Sequence, residues 1–253
     1  MVTRFRRYWQ IADILFKYQF GSFVQKLFPG TYRFRRCSEC DIESVTSVYQ
    51  RLRMAIEELG PTYVKLGQIL STRQDLLPPE MIGELKVLQD HSAPLPFSEI
   101  REVIERECPH HKDCFLEIEE TPLASASIAQ VHRAKLSDGT PVVLKVQRPG
   151  IKEVIETDIL ILESLAARIE YYYPHYAVYN PQGIVRDFAA QIRQELDFIN
   201  DGRNADRLRK NMMDLKKIRV PMIFWEQSTR NLLVMEYIEG VRIDHVDEIR
   251  GMG

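Results

Sequence analysis

At 253 residues the chain is long enough for a sizeable core, or for one domain with a large extension, and a hydrophobic share of 45% with 28% charged residues excludes a disordered chain. A formal net charge of -2 gives no electrostatic case for nucleic acid as the main partner. Four cysteines do not make a disulfide framework. No apolar run reaches the roughly 18 residues expected of a spanning helix, and the N-terminal MVTRFRRYWQIADILFKYQF lacks the cleavage site of a signal peptide. The expectation is a soluble or peripherally membrane-bound cytoplasmic protein.

Up to about residue 120 the periodicity is helical. Residues 41–59 place Val45, Val48, Leu52, Ile56 and Leu59 at three- and four-residue steps, and Gly60-Pro61 stops that helix. A second helix is predicted to start at Pro61 and run through PTYVKLGQILSTRQDLL to Leu77, where Pro78-Pro79 ends it. Further helices are predicted from about Glu80 to Asp90 and from Phe97 to Glu107. Beyond residue 120, strands at 128–136 and 141–147 flank Ser137-Asp138-Gly139-Thr140, a hairpin turning at Asp138-Gly139. Helices follow at roughly 151–173 and 181–212, and RVPMIFWE with NLLVMEYIEG predicts a second strand pair turning around Gln227–Arg230.

In the strand PVVLKVQ, Val142, Leu144 and Val146 share one face, and Val143, Lys145 and Gln147 the other. A lone strand lysine most often lies on a solvated edge. Buried without a partner, its ammonium would lose its charge or destabilise the fold. A helix carboxylate or the phosphates of a nucleotide would satisfy it. The helical segment QIRQELDFINDGRNADRL puts Asp197 and Asp201 on one face, with Asn204 continuing the stripe and Glu195 on a different side. Such acidic faces are usually just solvated, but Gly202 costs a helix interior about 1 kcal/mol relative to alanine and points to close packing. The strand ending in MEYIEG leaves backbone groups at Glu236–Ile238 free to bond a planar base. Along the helix from Thr62, Lys65, Gln68 and Thr72 form a polar stripe, which periodicity alone reads as an exposed amphipathic face.

Assembled, these residues resemble the UbiB family of atypical kinases over about residues 45–245. VKLGQ (Val64–Gln68) is similar to the family's KxGQ motif, ASAS (Ala124–Ser127) to its alanine-rich loop and ELD (Glu195–Asp197) to its ExD motif. VVLKVQRPG around Lys145 and the hinge MEYIEG complete the set in the family's order. The resemblance implies an α+β fold: a helical N-terminal extension, residues 1–120, packed on a protein-kinase-like N-lobe of antiparallel sheet and helices, residues 121–253. It implies that Lys145 contacts the phosphates, with Ala124, Ser125, Ala126 and Ser127 as the phosphate loop and the backbone of Glu236, Tyr237 and Ile238 holding adenine. Asp201 falls where the family has its helix-C glutamate. Being one methylene shorter, it is expected to pair with Lys145 at longer range, through water, or not at all in an inactive state, with Asp197 as the substitute.

The resemblance further implies that Lys65 pairs with Glu195, that Gly67 lets its helix come close and that Gln68 lines the same cleft. That arrangement would block a peptide substrate and favour a small or lipid-like one. ATP or ADP with Mg2+ is the implied cofactor, and isoprenoid quinone (ubiquinone-type) biosynthesis the implied setting. Nucleotide and lipid or quinone-pathway proteins are the implied partners, with peripheral contact at the inner membrane face. Glycine lets backbone N–H groups approach phosphates with φ > 0. Alanine restricts that backbone, so Ala124–Ser127 is expected to narrow the loop and hold back phosphoryl transfer.

No HRD-like or DFG-like segment occurs in the 253 residues; such residues belong to a kinase C-terminal lobe. The expectation is a piece of a longer protein that binds nucleotide weakly and does not itself transfer phosphate. Two alternatives of other classes stand beside it. Cys37, Cys40, Cys108, His110, His111 and Cys114 include C-x-x-C spacing and could hold zinc. Arg4, Arg6 and Arg7 before Trp9, Ile11, Leu15 and Phe16 suit either a membrane surface or a helix docked on the rest of the protein.

Overall fold

The structure is a computed structural model that describes residues 4–21, 24, 46–88, 92–215, 217–241, 243 and 245–251. In chain order its elements are α1 (Arg4–Lys17), α2 (Val48–Leu59), α3 (Pro61–Leu70), α4 (Pro79–Lys86), α5 (Phe97–Glu107) and α6 (His111–Cys114). There follow β1 (Phe115–Ile118), β2 (Ala124–Ser125), β3 (Ala129–Leu136), β4 (Pro141–Gln147), α7 (Ile151–Tyr172), α8 (Pro181–Glu195), α9 (Phe198–Asn211), β5 (Leu232–Glu236) and α10 (Val246–Gly251). The fold class is α+β. Its packing divides into two units: Met1–Ala93 with Ala126–Ile128 and Pro149–Leu196, and Pro94–Ser125 with Ala129–Arg148 and Asp197–Gly253. The partition at residue 120 follows the chain, whereas the packing units interleave across it.

The first unit is helical. Ile11, Ala12 and Ile14 of α1, Ala55 and Leu59 of α2, Ile155 and Ile159 of α7, and Phe188 and Ile192 of α8 form one apolar core. The apolar stripe of α1 thus lies within its own unit, while Arg4 and Arg6 stay exposed. Beside this core Arg7 is buried and donates from Nε and Nη2 to the two oxygens of Asp158 at 2.7 and 2.9 Å. Thr62 Oγ1 donates to the same carboxylate at 2.7 Å, and Arg7 Nη2 also donates to the Leu59 carbonyl at 2.7 Å. A charge this deeply buried persists only when fully partnered, and this one ties α1, α3 and α7 to one point.

α2 starts at a capping box in which Ser47 Oγ accepts from the Gln50 N–H and the Gln50 side chain accepts from the Ser47 N–H. The expected start at residue 41 and Val45 lie outside the described residues. α3 stops at Leu70, not Leu77. Ser71 and Thr72 hydroxyls donate to the Gln68 and Ile69 carbonyls at 2.6 and 2.7 Å, and turns replace the helix. The expected single helix at 181–212 is also two helices, because Asp197 Oδ1 accepts from the Ile199 N–H at 3.1 Å and caps a new start.

The second unit is built on an antiparallel sheet in the order β1-β3-β4-β5, with β2 also paired to β3. The β3–β4 hairpin turns at Gly139, where φ is +87° and a side chain would be strained. Val142, Leu144 and Val146 bury one face against Ile100, Val103 and Ile104 of α5. The expected second strand pair is reduced: β5 joins β4, but the preceding segment keeps only the bridge Ile223↔Met235 before a 3-10 turn at Trp225–Gln227. β1, β2, α6 and α10 were not expected from periodicity; each is too short to carry a pattern.

Two polar residues sit on the buried face of β3. Gln130 Oε1 accepts from the Leu95 N–H at 2.9 Å, and its Nε2 donates to the Leu95 carbonyl at 3.3 Å. That leaves the Gln130 amide donating to His132 Nε2 at 3.0 Å, while His132 Nδ1 donates to the Glu119 carbonyl at 2.8 Å. The network is satisfied only by a neutral imidazole. Burial lowers the His132 pKa below its ordinary value, and the Glu119 carbonyl opposes this more weakly. The unfolded chain therefore takes up this proton near pH 6.5 while the folded chain resists it, so stability is lost as pH falls from there through the depressed folded pKa. Unfolding midpoints measured from pH 7 to pH 5 should fall, and the slope should shrink in His132→Gln.

Candidate functional site

Lys145 projects from the face of β4 opposite the α5 core, beside Leu233 of β5 in register. Its Nζ lies 2.6 Å from Asp201 Oδ2 on α9, and 4.5 Å from the ring centre of the fully buried Phe198. The pair is direct despite the short aspartate. Lysine and aspartate side chains keep 26% and 35% of their exposure, so the pair is partly covered and partly reached by solvent. Asp197 is not at Lys145: it caps α9, and its other oxygen lies 3.6 Å from Arg230 Nε.

The small-residue segment is partly strand. Ala124 and Ser125 pair with Val131 and Gln130, and Ser125 Oγ accepts from Arg148 Nη2 at 2.7 Å. Arg148 is an anchor that sequence reasoning missed. Ser127 is buried, whereas Ala126 keeps partial exposure. At the other end of the sheet the Glu236 N–H donates to the Met222 carbonyl at 2.8 Å and the Tyr237 N–H to the Pro141 carbonyl at 3.2 Å. Those two donors, expected to be free for a base, are engaged because the strand pairing runs on through them. Ile238 lies just past the last pair and is exposed. Arg133, on the same face as Lys145, lies over the Tyr237 ring at 4.7 Å and donates to its hydroxyl at 2.7 Å.

In the helical unit Lys65 Nζ lies 2.9 Å from Glu195 Oε2, with side chains 24% and 30% exposed. Gln68 Nε2 donates to the Leu88 carbonyl at 3.2 Å. Gly67 between them is buried, and a Cβ there would stand 2.5 Å from Leu88 Cδ1. Glycine thus admits the residues following α4 against α3, and Gln68 fastens the same contact.

Among the described residues no group of three or more His, Cys, Asp or Glu is placed to hold a metal ion. Cys108 and Cys114 approach at 3.7 Å, and burial together with that neighbour pushes the Cys108 thiol up to about 11. Cys37 and Cys40 lie outside the described residues. No helix of the described residues is long and apolar enough to cross a membrane.

A strand lysine paired to a helix acid beside a small-residue turn is the N-lobe arrangement of a protein kinase. The model of the ABC1 atypical kinase-like domain matches residues 87–253. The chain belongs to that family. Among similar UbiB-type proteins, a probable protein kinase UbiB of Marinobacter nauticus is 42% identical over 204 residues, 80% of this chain and 37% of that protein. A chloroplastic ACTIVITY OF BC1 COMPLEX KINASE 7 of Arabidopsis thaliana is 38% identical over 205 residues, 80% of this chain and 29% of that one. The solved complex of Rv3197 with erythromycin from Mycobacterium tuberculosis is similar over 78% of this chain and 50% of that one, at 28% identity and a TM-score of 0.55. The chain spans less than two fifths of the length of these two curated relatives.

The two features of α3 differ in what they should contribute to stability. The partly exposed Lys65–Glu195 pair should add only about 0.2–1 kcal/mol, so Lys65→Ala should barely move the unfolding midpoint. Gly67→Ala forces a clash in a packed contact and should cost about 1–3 kcal/mol. Chemical denaturation of both variants checks the order.

Proposed function

We propose that this chain is the nucleotide-binding portion of an atypical kinase or ATPase that takes ATP or ADP with Mg2+ and serves isoprenoid-quinone metabolism. The observation that carries the reading is Lys145, held at 2.6 Å by Asp201 in a pair that keeps partial exposure. An ammonium fixed by a carboxylate is positioned rather than neutralised, and can donate its remaining hydrogens to phosphate oxygens. The kinase-named relatives support the nucleotide, and the UbiB names support the quinone setting.

In this reading Ala124 and Ser125 cover the phosphates, with Ser125 fastened by Arg148, and Ile238 is the backbone group left to meet a base edge. Lys65 and Glu195 hold each other, and Gln68 is fixed to Leu88. Mg2+ bound with the nucleotide would supply charge neutralisation at the phosphates, and among the described residues no group of three or more His, Cys, Asp or Glu is placed to hold it.

Titration calorimetry of ADP and ATP with Mg2+ tests this directly. Weak binding by the chain that is lost in Lys145→Ala is the expected outcome. Binding unchanged by that substitution, or none by either protein, contradicts the reading.

A further inference from the structure

The contact between Lys145 and Asp201 poses a geometric problem. Aspartate is a short side chain, yet it reaches across from a helix to a sheet at 2.6 Å without an intervening water-sized gap. The backbone of α9 must therefore lie close to the strands. The next residue is Gly202, which is buried. A Cβ there would stand 2.6 Å from Trp225 Cη2 and 3.2 Å from Leu233 Cδ1. Leu233 is the residue registered against Lys145 across β4 and β5. The missing methyl group of Gly202 thus permits the approach at the point where the ion pair needs it.

The indole sets rotation as well as distance. Trp225 Nε1 donates to Asp206 Oδ2 at 2.9 Å, one turn beyond Gly202 on the same side of α9. At the start of the helix the Phe198 N–H donates to the Arg230 carbonyl at 3.0 Å, and the Phe198 ring is buried beneath Lys145. The helix is thereby fastened at its first turn and again at its third.

We propose that Gly202 and Trp225 are positioning residues: the glycine lets α9 lie against the sheet and the indole locks its rotation, so that the short side chain of Asp201 reaches Lys145. The consequence for nucleotide binding rests on the function proposed above; the positioning does not. It makes Asp201 and Gly202 a coupled pair, in which lengthening the acid and adding the methyl group should compensate each other.

The test is acetylation of Lys145 by sulfosuccinimidyl acetate, followed by mass spectrometry on the 253-residue chain and its variants. Asp201→Ala gives the rate of a released lysine, expected to be about threefold above the parent for a half-exposed pair. Gly202→Ala should label at that faster rate, and Asp201→Glu with Gly202→Ala should return to the parent rate. Trp225→Phe keeps the ring but loses the bond to Asp206, and should label faster than the parent even if Gly202→Ala fails to fold. A glycine that serves packing alone would lower the unfolding midpoint in the single and double variants without restoring the labelling. Parent-rate labelling of Gly202→Ala, or of Trp225→Phe, overturns the proposal, as does a double variant that labels as fast as Gly202→Ala. Calorimetry with ADP on the same proteins separates the two ideas, since failure of every variant to bind would refute the nucleotide reading while the labelling still decides the positioning.

Discussion

An ammonium group partly buried on a sheet face keeps its charge only where an acceptor reaches it, and Lys145, Asp201 and the elements that bring them together meet that requirement in the sheet unit. Lys145 cannot move without breaking the β4 ladder, so the acid has to come to it. α9 does this through a cap at Asp197, a glycine at 202 and an indole bonded to Asp206. The same strand contributes Val142, Leu144 and Val146 to the α5 core, which fixes the other face of the sheet. A cation so held is fixed in place by its carboxylate while its side chain keeps 26% of its exposure.

The helical unit solves a parallel problem by deeper burial. Arg7 and Asp158 are almost fully enclosed, and Thr62 and the Leu59 carbonyl complete their hydrogen bonds. Removing one partner of such a set would strand the other, so its contribution is to register three helices more than to add net stability. Thr62 lies three residues before Lys65, which places the partly buried Lys65–Glu195 pair on a helix whose base is bolted down.

Much of this was legible from local pattern. The hairpin at 138–139 and the face of Lys145 follow from period-two alternation and a turn dipeptide, and the close packing at Gly202 was signalled by the misfit of glycine in a helix interior. What covers Gly202 was not legible, because Trp225 comes from a segment whose strand-like composition hid a 3-10 turn. Asp197 reads as one more acid on a helix face until its side chain is seen to cap a new helix, and the hydroxyls of Ser71 and Thr72 end α3 where the apolar spacing alone would continue it. Arg7 and Asp158 are 151 residues apart and leave no local trace. Gln130 and His132 did leave one: polar residues at the inward positions of an alternating strand mark a buried network.

A crystal structure of the chain with Mg–ADP tests the central claim most directly. The account predicts a phosphate oxygen within hydrogen-bonding distance of Lys145 Nζ, with Asp201 still paired to it and the base edge at Ile238. Nucleotide bound elsewhere, or bound with Lys145 turned away from the phosphates, would contradict it.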